Sequence, residues 1–481
     1  MIKASTYRGE EVAVFGLGRS GITTALSLQS GGATVYAWDD NQDARKFAKS
    51  QGVHIRDLRK IDWSKISALA LSPGVPDTLP EPHWSAKLAK SADVPIIGDI
   101  EIFAREVMAR APERRPKIIA ITGTNGKSTT TALIGHILQD CGRDAQVGGN
   151  IGRGVLDLDD MHAGAVYVIE LSSYQLERTY SLKANAAVFL NLSSDHLVRH
   201  GDMEGYKRAK LRIFNNQDKT DTAVIGVDDP HVKAICSKLI ARNNRKIAPI
   251  SGRRSMGRGA CVIKGVLYAL INKKCEKIAD LNHAPNLVGE HNWQNAAAAF
   301  AAVHALGLDA RKIGQALLSF PGLAHRMENI GKVGPVLFVN DSKATNVDAA
   351  AQALKAYDNI YWIAGGQADK GGIEDLQKFF PHISRAYLIG EAAMGFATTL
   401  REAKVPCKIS KELRLAIMCA TKDALNSRSK NPVILLSPAC ASFDQFKSFE
   451  ARGDDFRTLA EEIISIFERE KQNMQTGAGA A

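Results

Sequence analysis

The stretch Lys117-Ile-Ile-Ala-Ile-Thr-Gly-Thr-Asn-Gly-Lys-Ser-Thr-Thr-Thr131 constrains the chain more than any other. Its apolar run, Ile118 to Ile121, predicts a buried parallel strand. The run breaks at Gly123 and Gly126, and a helix is expected over Ala132 to Leu138. Strand, glycine turn and helix in that order aim free backbone N–H groups at one point, with the helix dipole behind them. In such a turn Gly123, Thr124, Asn125 and Gly126 cradle phosphates, and Lys127 adds a mobile positive charge. Ser128 and Thr129 follow, and the Ser128 hydroxyl suits Mg²⁺ on a nucleotide phosphate. The strict phosphate-loop pattern wants a glycine where this chain has Ile121, so the loop is a shortened variant. A chance Gly-Lys-Ser turn is the competing reading.

At 481 residues the chain has room for two to four domains. The net charge of +11 invites a nucleic-acid partner. The basic residues are spread along the chain, however, with no basic run and no interleaved aromatics. A protein that handles several small anions fits the same charge, and no nucleic acid is expected. Seven cysteines without a Cys-x-x-Cys pair indicate reduced thiols, hence a cytoplasmic compartment. The N-terminal stretch has no apolar h-region and no apolar run reaches about 18 residues, so neither a signal peptide nor membrane insertion is expected.

The first 105 residues read as a Rossmann-like α/β domain. A strand over Val12 to Phe15 leads into Gly16-Leu-Gly18-Arg-Ser20-Gly21 and a helix, and a second strand from Ala33 to Trp38 ends in Asp39. This is the order of a dinucleotide fingerprint, with an acid placed to hold a ribose. The glycines would equally serve helix–strand packing. A third strand, Ala68 to Leu71, runs into Ser72-Pro73-Gly74, at a sheet edge where ligands collect. Residues 110–116, rich in proline and charge, read as an exposed linker.

The second domain, 106–322, opens with the phosphate loop. Val166 to Ile169 reads as a strand closed by Glu170, an acid that could hold Mg²⁺ or merely cap a helix. Ala187 to Leu190 runs into Asn191-Leu-Ser-Ser-Asp195-His196, where a functional role for the acid and histidine is favoured over a structural one. Lys210 falls on a charge-rich helix, which by pattern alone is a solvated face. Residues 220–282 carry short strand-like runs without nameable chemistry. Asn292 and Asn295 share one face at the start of an alanine-rich helix, where amides pair with a base edge or cap the helix.

The third domain, 323–481, has strands over Val336 to Asn340, Ile360 to Ala364, Ala386 to Ile389 and Val433 to Leu436. Each closes on glycine or polar residues, which predicts an open parallel sheet with one ligand edge. The tail from Glu468 is expected to fray.

Taken together, these motifs resemble the Mur ligases and their folylpolyglutamate synthetase relatives. The resemblance rests on Gly-Thr-Asn-Gly-Lys-Ser, Gly149-Asn150-Ile-Gly152, Glu170-Leu-Ser-Ser, Asp195-His196, Lys210, His291-Asn-x-x-Asn295, His325-Arg326 and Asp341-Ser-Lys-Ala-Thr345-Asn. Gly-Asp-Ile-Glu101 and Leu436-Ser-Pro-Ala-Cys-Ala-Ser-Phe-Asp-Gln-Phe-Lys resemble the D-glutamate-adding branch. The Asp-Asn-Pro-Arg signature of the branch that adds diaminopimelate or lysine is absent. At Asp40 and Asn41 the chain departs from the D-glutamate branch, which carries threonine and arginine there, and this leaves uridine contacts at 40 and 41 open.

The resemblance implies a monomeric, ATP-dependent amide ligase of peptidoglycan synthesis that joins D-glutamate to UDP-N-acetylmuramoyl-L-alanine through an acyl phosphate. It implies catalytic roles for Lys127, Glu170, His196 and Lys210. Two Mg²⁺ ions would be held through Ser128, Glu170, His196 and Lys210, the last carbamylated by CO₂. Ser20, Asp39, Gly74, Asn150 and His196 would face the muramoyl nucleotide. Asn292, Asn295, Arg326 and Asp341 would join the loop on ATP, and Thr345, Lys370, Ser442 and Phe449 would hold D-glutamate. Closure on the substrates is expected, with 112–116 and 321–322 as hinges. A nicotinamide-dependent oxidoreductase would explain the first glycine motif but leaves the phosphate loop and Glu170 without a purpose.

Overall fold

The computed structural model describes residues 1–287, 289–367 and 371–477. The chain divides into two compact units, Met1–Phe320 and Pro321–Ala481. Three mostly parallel sheets flanked by helices make it an α/β protein, with two sheets in the first unit.

The first sheet holds β1 (Glu11–Phe15), β2 (Thr34–Trp38), β3 (Ile66–Leu71) and β4 (Ile96–Ile97), all parallel, in the order β2-β1-β3-β4. The helix Arg19–Gly31 lies close against the β1 turn, and a Cβ on Gly21 would stand 1.7 Å from the Gly16 carbonyl oxygen. Glycine is therefore a steric requirement at this helix start.

Nine strands form the second sheet: β5 (Lys117–Thr122), β6 (Asp144–Gly149), β7 (Ala165–Glu170), β8 (Ala186–Phe189), β9 (Thr222–Gly226), β10 (Lys246–Ser251), β11 (Ala260–Ile263), β12 (Val266–Ile271) and β13 (Lys274–Asp280). Their order is β13-β12-β11-β10-β9-β8-β5-β7-β6. The chain passes from β5 to one side (β6, β7) and then to the other (β8 onward). The carboxyl end of β5 thus lies at a switch point, where open α/β sheets bind ligands. β5 and β7 are in register with Ile121 opposite Glu170, so the loop and the acid stand side by side. The stretch 220–282 supplies β9 to β13, which extend the sheet and end it in an antiparallel pair of hairpin partners.

One hydrophobic core runs between these two sheets. It joins Val12 and Val14 of β1, Ile100 and Phe103 of the helix Asp99–Met108, and Tyr167 and Ile169 of β7. Buried Glu101 reinforces it by accepting the N–H groups of Tyr180 and Ser181 at 2.7 and 2.8 Å.

The second unit carries β14 (Glu328–Val333), β15 (Val336–Asn340), β16 (Ile360–Gly365), β17 (Ile383–Ile389), β18 (Cys407–Lys411) and β19 (Val433–Leu436), in the order β14-β15-β19-β16-β17-β18. All pairs are parallel except β14 with β15. The four apolar runs of the sequence are β15, β16, β17 and β19, and the two additional strands lie at the sheet edges. Edge strands need only one apolar face or none, so β14 and β18 have no apolar run to read. The final helix, Phe449–Gly477, continues past Glu468, where fraying was expected, because Glu468 to Lys471 are good helix formers without proline or glycine.

Candidate active site

The phosphate loop is built before any ligand arrives. Gly126 has φ +82°, and a Cβ there would come within 2.4 Å of Asn295 Oδ1. Glycine alone satisfies both conditions. Asn191, at the end of β8, grips the turn from the other side. Its backbone oxygen accepts the Thr124 N–H at 3.0 Å, its side-chain oxygen accepts that of Asn125 at 2.8 Å, and its amide donates to the Asn125 oxygen at 3.1 Å. Thr130, in the helix Lys127–Asp140, donates to Asn295 at 3.2 Å, and Asn295 donates to Asn292 at 3.3 Å. The two asparagines thus support the loop from the neighbouring helix start. Ser128 and Thr129 occupy the first turn of the Lys127 helix, half-buried.

Two amines meet on one carbonyl. Lys127 Nζ donates to the Gly123 and Thr124 oxygens at 3.0 and 2.8 Å, and Lys210 Nζ donates to the same Gly123 oxygen at 2.8 Å. Lys210 lies 4.6 Å from the centroid of the Tyr206 ring and is 1% exposed. Its helix, Met203–Leu211, is charge-rich as the sequence says, but the face with Tyr206 and Lys210 turns inward. Pattern alone therefore misplaces this lysine as solvated. Burial, and then the positive charge of Lys127, push its pKa down to about 7. A large share of Lys210 is consequently a neutral amine near physiological pH.

Glu170 closes β7 and is also 1% exposed. Its Oε1 accepts from Asn150 Nδ2 at 2.7 Å, while its buried Oε2 has no hydrogen-bond partner among the described residues. A buried carboxylate oxygen without a donor is costly unless a cation meets it. Mg²⁺ fits this oxygen, because that ion binds through one or two carboxylates together with substrate phosphates. Asn150, expected on the muramoyl substrate, is tied to Glu170 by this bond and by a 2.9 Å backbone bond.

His196 caps the helix Leu197–His200 with φ +53°. It pairs with Asp195 at 3.3 Å and packs on the Tyr174 and Tyr206 rings, 4.9 and 6.2 Å between centroids. Burial and the nearby cations hold it below the usual histidine pKa, against the pull of Asp195.

At the first sheet's edge, Asp39 accepts the Leu17 N–H at 2.6 Å and that of Asn41 at 2.8 Å, so it also shapes the glycine turn. Ser20 lies in the first turn of the helix Arg19–Gly31, and the Gly74 turn is open around the position of a Cβ. Asp40 takes its hydrogen bonds from His83 and Trp84, both at 3.1 Å, and Asn41 caps the helix Gln42–Ser50. Both residues that depart from the family pattern thus have local partners of their own.

In the second unit Asp341 is 5% exposed, accepting from Ser437 at 2.9 Å and the Met327 N–H at 3.2 Å. Burial pushes its pKa up to about 7. Arg326 is exposed beside it, following His325 at φ +61°. The loop from Asp341 to Thr345 meets the segment that holds Ser442 and Phe449 through a residue the sequence reading missed. Arg452, 1% exposed, donates to Ser342 Oγ and O, both at 3.0 Å, and to the Cys440 oxygen at 3.1 Å. Ser342 in turn donates to the Phe449 oxygen at 2.8 Å. An arginine in a polar stretch carries no sign that it will be buried. Ser442 is 2% exposed, and Gln367 donates to its neighbour Ala441 at 2.9 Å. Lys370, further along that glycine-rich loop, lies outside the described residues.

A glycine turn beside a strand-end acid and a buried lysine thus lies at the carboxyl edge of the second sheet of this α/β frame, and the comparisons with known proteins give the family. The family described as "Mur ligase middle domain" matches residues 121–303. UDP-N-acetylmuramoylalanine–D-glutamate ligase of Caulobacter sp. (strain K31) is 56% identical over 457 residues, covering 95% of this chain and 97% of the relative. That of Mesorhizobium japonicum is 51% identical, covering 97% and 98%. The fold is shared with MurF from Acinetobacter baumannii (TM-score 0.56, 17% identity, 97% and 93% covered). It is shared also with UDP-N-acetylmuramate-alanine ligase MurC from Thermotoga maritima (TM-score 0.55, 18% identity, 94% and 99% covered). The chain belongs to the UDP-N-acetylmuramoylalanine–D-glutamate ligase family of the Mur ligases. Among the described residues no helix is long and apolar enough to cross a membrane.

Proposed function

We propose that the chain forms the amide bond between D-glutamate and the alanyl carboxylate of UDP-N-acetylmuramoyl-L-alanine, in peptidoglycan precursor synthesis, with conversion of ATP to ADP and phosphate. The observation that carries this reading is the strand-end cluster: Lys127 and Lys210 converge on the Gly123 oxygen beside the unpartnered oxygen of Glu170. A carboxylate is a poor electrophile at neutral pH. Transfer of the γ-phosphoryl group to its oxygen releases ADP and yields an acyl phosphate. The D-glutamate amine then attacks the carbonyl carbon, the C–O bond to phosphate breaks, and the amine's proton goes to solvent.

Bringing an anionic carboxylate to a polyanionic phosphate calls for cations aimed at both. Lys127 and the loop N–H groups serve the phosphates, and Ser128 and Glu170 would hold Mg²⁺, which would supply further positive charge against the phosphate oxygens. Lys210 is read as the site of a carbamate. Only a neutral amine adds to CO₂, and the local environment of Lys210 favours that form. The product would be an anion able to hold a second Mg²⁺ with His196. Asn292, Asn295, Arg326 and Asp341 are assigned to ATP. Ser20, Asp39, Gly74 and Asn150 are assigned to the muramoyl nucleotide. Thr345, Lys370, Ser442 and Phe449 are assigned to D-glutamate.

The test is an ADP-release assay with UDP-N-acetylmuramoyl-L-alanine and each of several D- and L-amino acids. Turnover should require the nucleotide, ATP and D-glutamate together. Turnover with another amino acid and none with D-glutamate would refute the substrate assignment.

A further inference from the structure

Arg178 has no part in the reading above, yet it is one of the most deeply buried cations of the first unit, 1% exposed at the end of the helix Ser173–Glu177. That helix begins three residues after Glu170. The guanidinium reaches out of the second sheet's layer and grips the turn that ends β3. Nη1 donates to the Leu71 and Ser72 oxygens at 3.1 and 2.9 Å, and Nη2 donates to the Val75 oxygen and to Asp77 Oδ1, the latter at 2.8 Å. Asp77 Oδ1 also accepts from Arg199 at 3.0 Å. Arg199 belongs to the helix capped by His196, and it donates to Glu177 at 3.1 and 3.2 Å. The Ser72–Asp77 turn is therefore bound to the helix after Glu170 and to the helix after His196 at once.

The same turn holds the first glycine loop. Ser72 Oγ donates to the Gly16 oxygen at 2.8 Å, and Leu17 of that loop donates to Asp39. Gly16, Asp39, Ser72 and Arg178 thus form one unbroken chain of contacts from the first sheet's ligand edge to the second's. A hydrophobic contact would join the two layers at lower desolvation cost than a guanidinium. What the planar fork adds is direction, because its donors meet carbonyl oxygens in fixed geometry.

We propose that Arg178 is a positioning residue for the muramoyl nucleotide, holding the Ser72–Asp77 turn at a fixed register to the Glu170 and His196 ends of the phosphate-loop sheet. The proposal rests on the assignment of the Gly74 turn to that nucleotide. A residue that only staples two layers would affect stability and leave substrate selectivity alone.

The experiment is Arg178→Lys, which keeps the charge and loses the fork. KM is measured for each substrate, with calorimetric binding of UDP-N-acetylmuramoyl-L-alanine in the absence of ATP. KM and Kd for the muramoyl nucleotide should rise about tenfold to a hundredfold, as loss of several charge-assisted bonds implies, with KM for ATP unchanged. Asp77→Asn, which removes the shared carboxylate and keeps the three carbonyl bonds, should show the same split at smaller size, and it carries the test should Arg178→Lys not fold. Unchanged nucleotide affinity would overturn the proposal, whatever happens to Tm, and so would an equal rise in every KM. A wild-type chain that binds no muramoyl nucleotide would instead overturn the assignment of the turn, and the clamp with it.

Discussion

The two units bury opposite charges at the carboxyl ends of their sheets. In the first, Lys210 rests on the Gly123 carbonyl and the Tyr206 ring. In the second, Asp341 rests on the Ser437 hydroxyl and the Met327 N–H. Burial moves both toward neutrality from opposite directions, each to about 7. Their second influences differ. Lys127 adds like charge to the first site and discharges Lys210 further, whereas hydrogen bonds and Arg326 draw Asp341 back toward its anion. The first site therefore favours a gain of negative charge, and the second favours a cation or a retained proton.

The largest expected effect tests the first site. Lys127→Ala should lower ADP release by about 10³-fold or more, the scale of losing a phosphoryl-stabilising cation, with the Tm of the wild type retained. Near-normal turnover would remove the loop lysine from the mechanism. Next comes Lys210. Lys210→Ala and Lys210→Arg should each lose about 10²–10³-fold in turnover. A short carboxylic acid should restore part of the rate to the alanine variant only, since arginine stays protonated. An arginine variant with wild-type activity would mean that positive charge is what the site needs, and the comparison with Asp341 would collapse.

The remaining two effects belong to the second unit. Lys370→Ala should raise KM for D-glutamate by about tenfold to a thousandfold, at about 1.4 kcal/mol per tenfold, and leave that for ATP unchanged. An unchanged KM for D-glutamate would put Lys370 outside the pocket. The smallest effect is on stability. Asp341 has a folded pKa above its unfolded one, so its favourable contribution is complete below about 4 and is lost as pH rises through about 7. Asp341→Asn removes that loss. The variant should melt several degrees above the wild type at pH 8, with the gap closing as pH falls toward 4. An equal or lower Tm at pH 8 would show that the carboxylate is well solvated.

Much of this was legible in the chain because apolar runs and glycine turns are local signals. Ile118 to Ile121, Val166 to Ile169 and Val433 to Leu436 all lie inside observed strands, and the loop between Gly123 and Ser128 could be read without a fold. What escaped is long-range. Lys210 looks solvated until Gly123, 87 residues away, is brought against it. Arg178, Arg199 and Arg452 look like surface cations, and the oxygens that bind them, the Leu71 carbonyl, the Asp77 carboxylate and the Ser342 carbonyl, are supplied by segments remote in sequence. Asn191 reads in the sequence only as part of a polar run, although its side chain holds Asn125 of the loop through both its oxygen and its amide. Edge strands β14 and β18 left no apolar trace.

The central claim is that the carboxylate is activated by phosphorylation, and oxygen transfer tests it most directly. UDP-N-acetylmuramoyl-L-alanine labelled with ¹⁸O in its alanyl carboxylate is turned over with ATP and D-glutamate, and the released phosphate is analysed by mass. An acyl phosphate predicts one carboxylate-derived ¹⁸O in each phosphate, because the carboxylate oxygen leaves with the phosphoryl group. Unlabelled phosphate from fully labelled substrate, with amide formed in equal amount, would contradict the account.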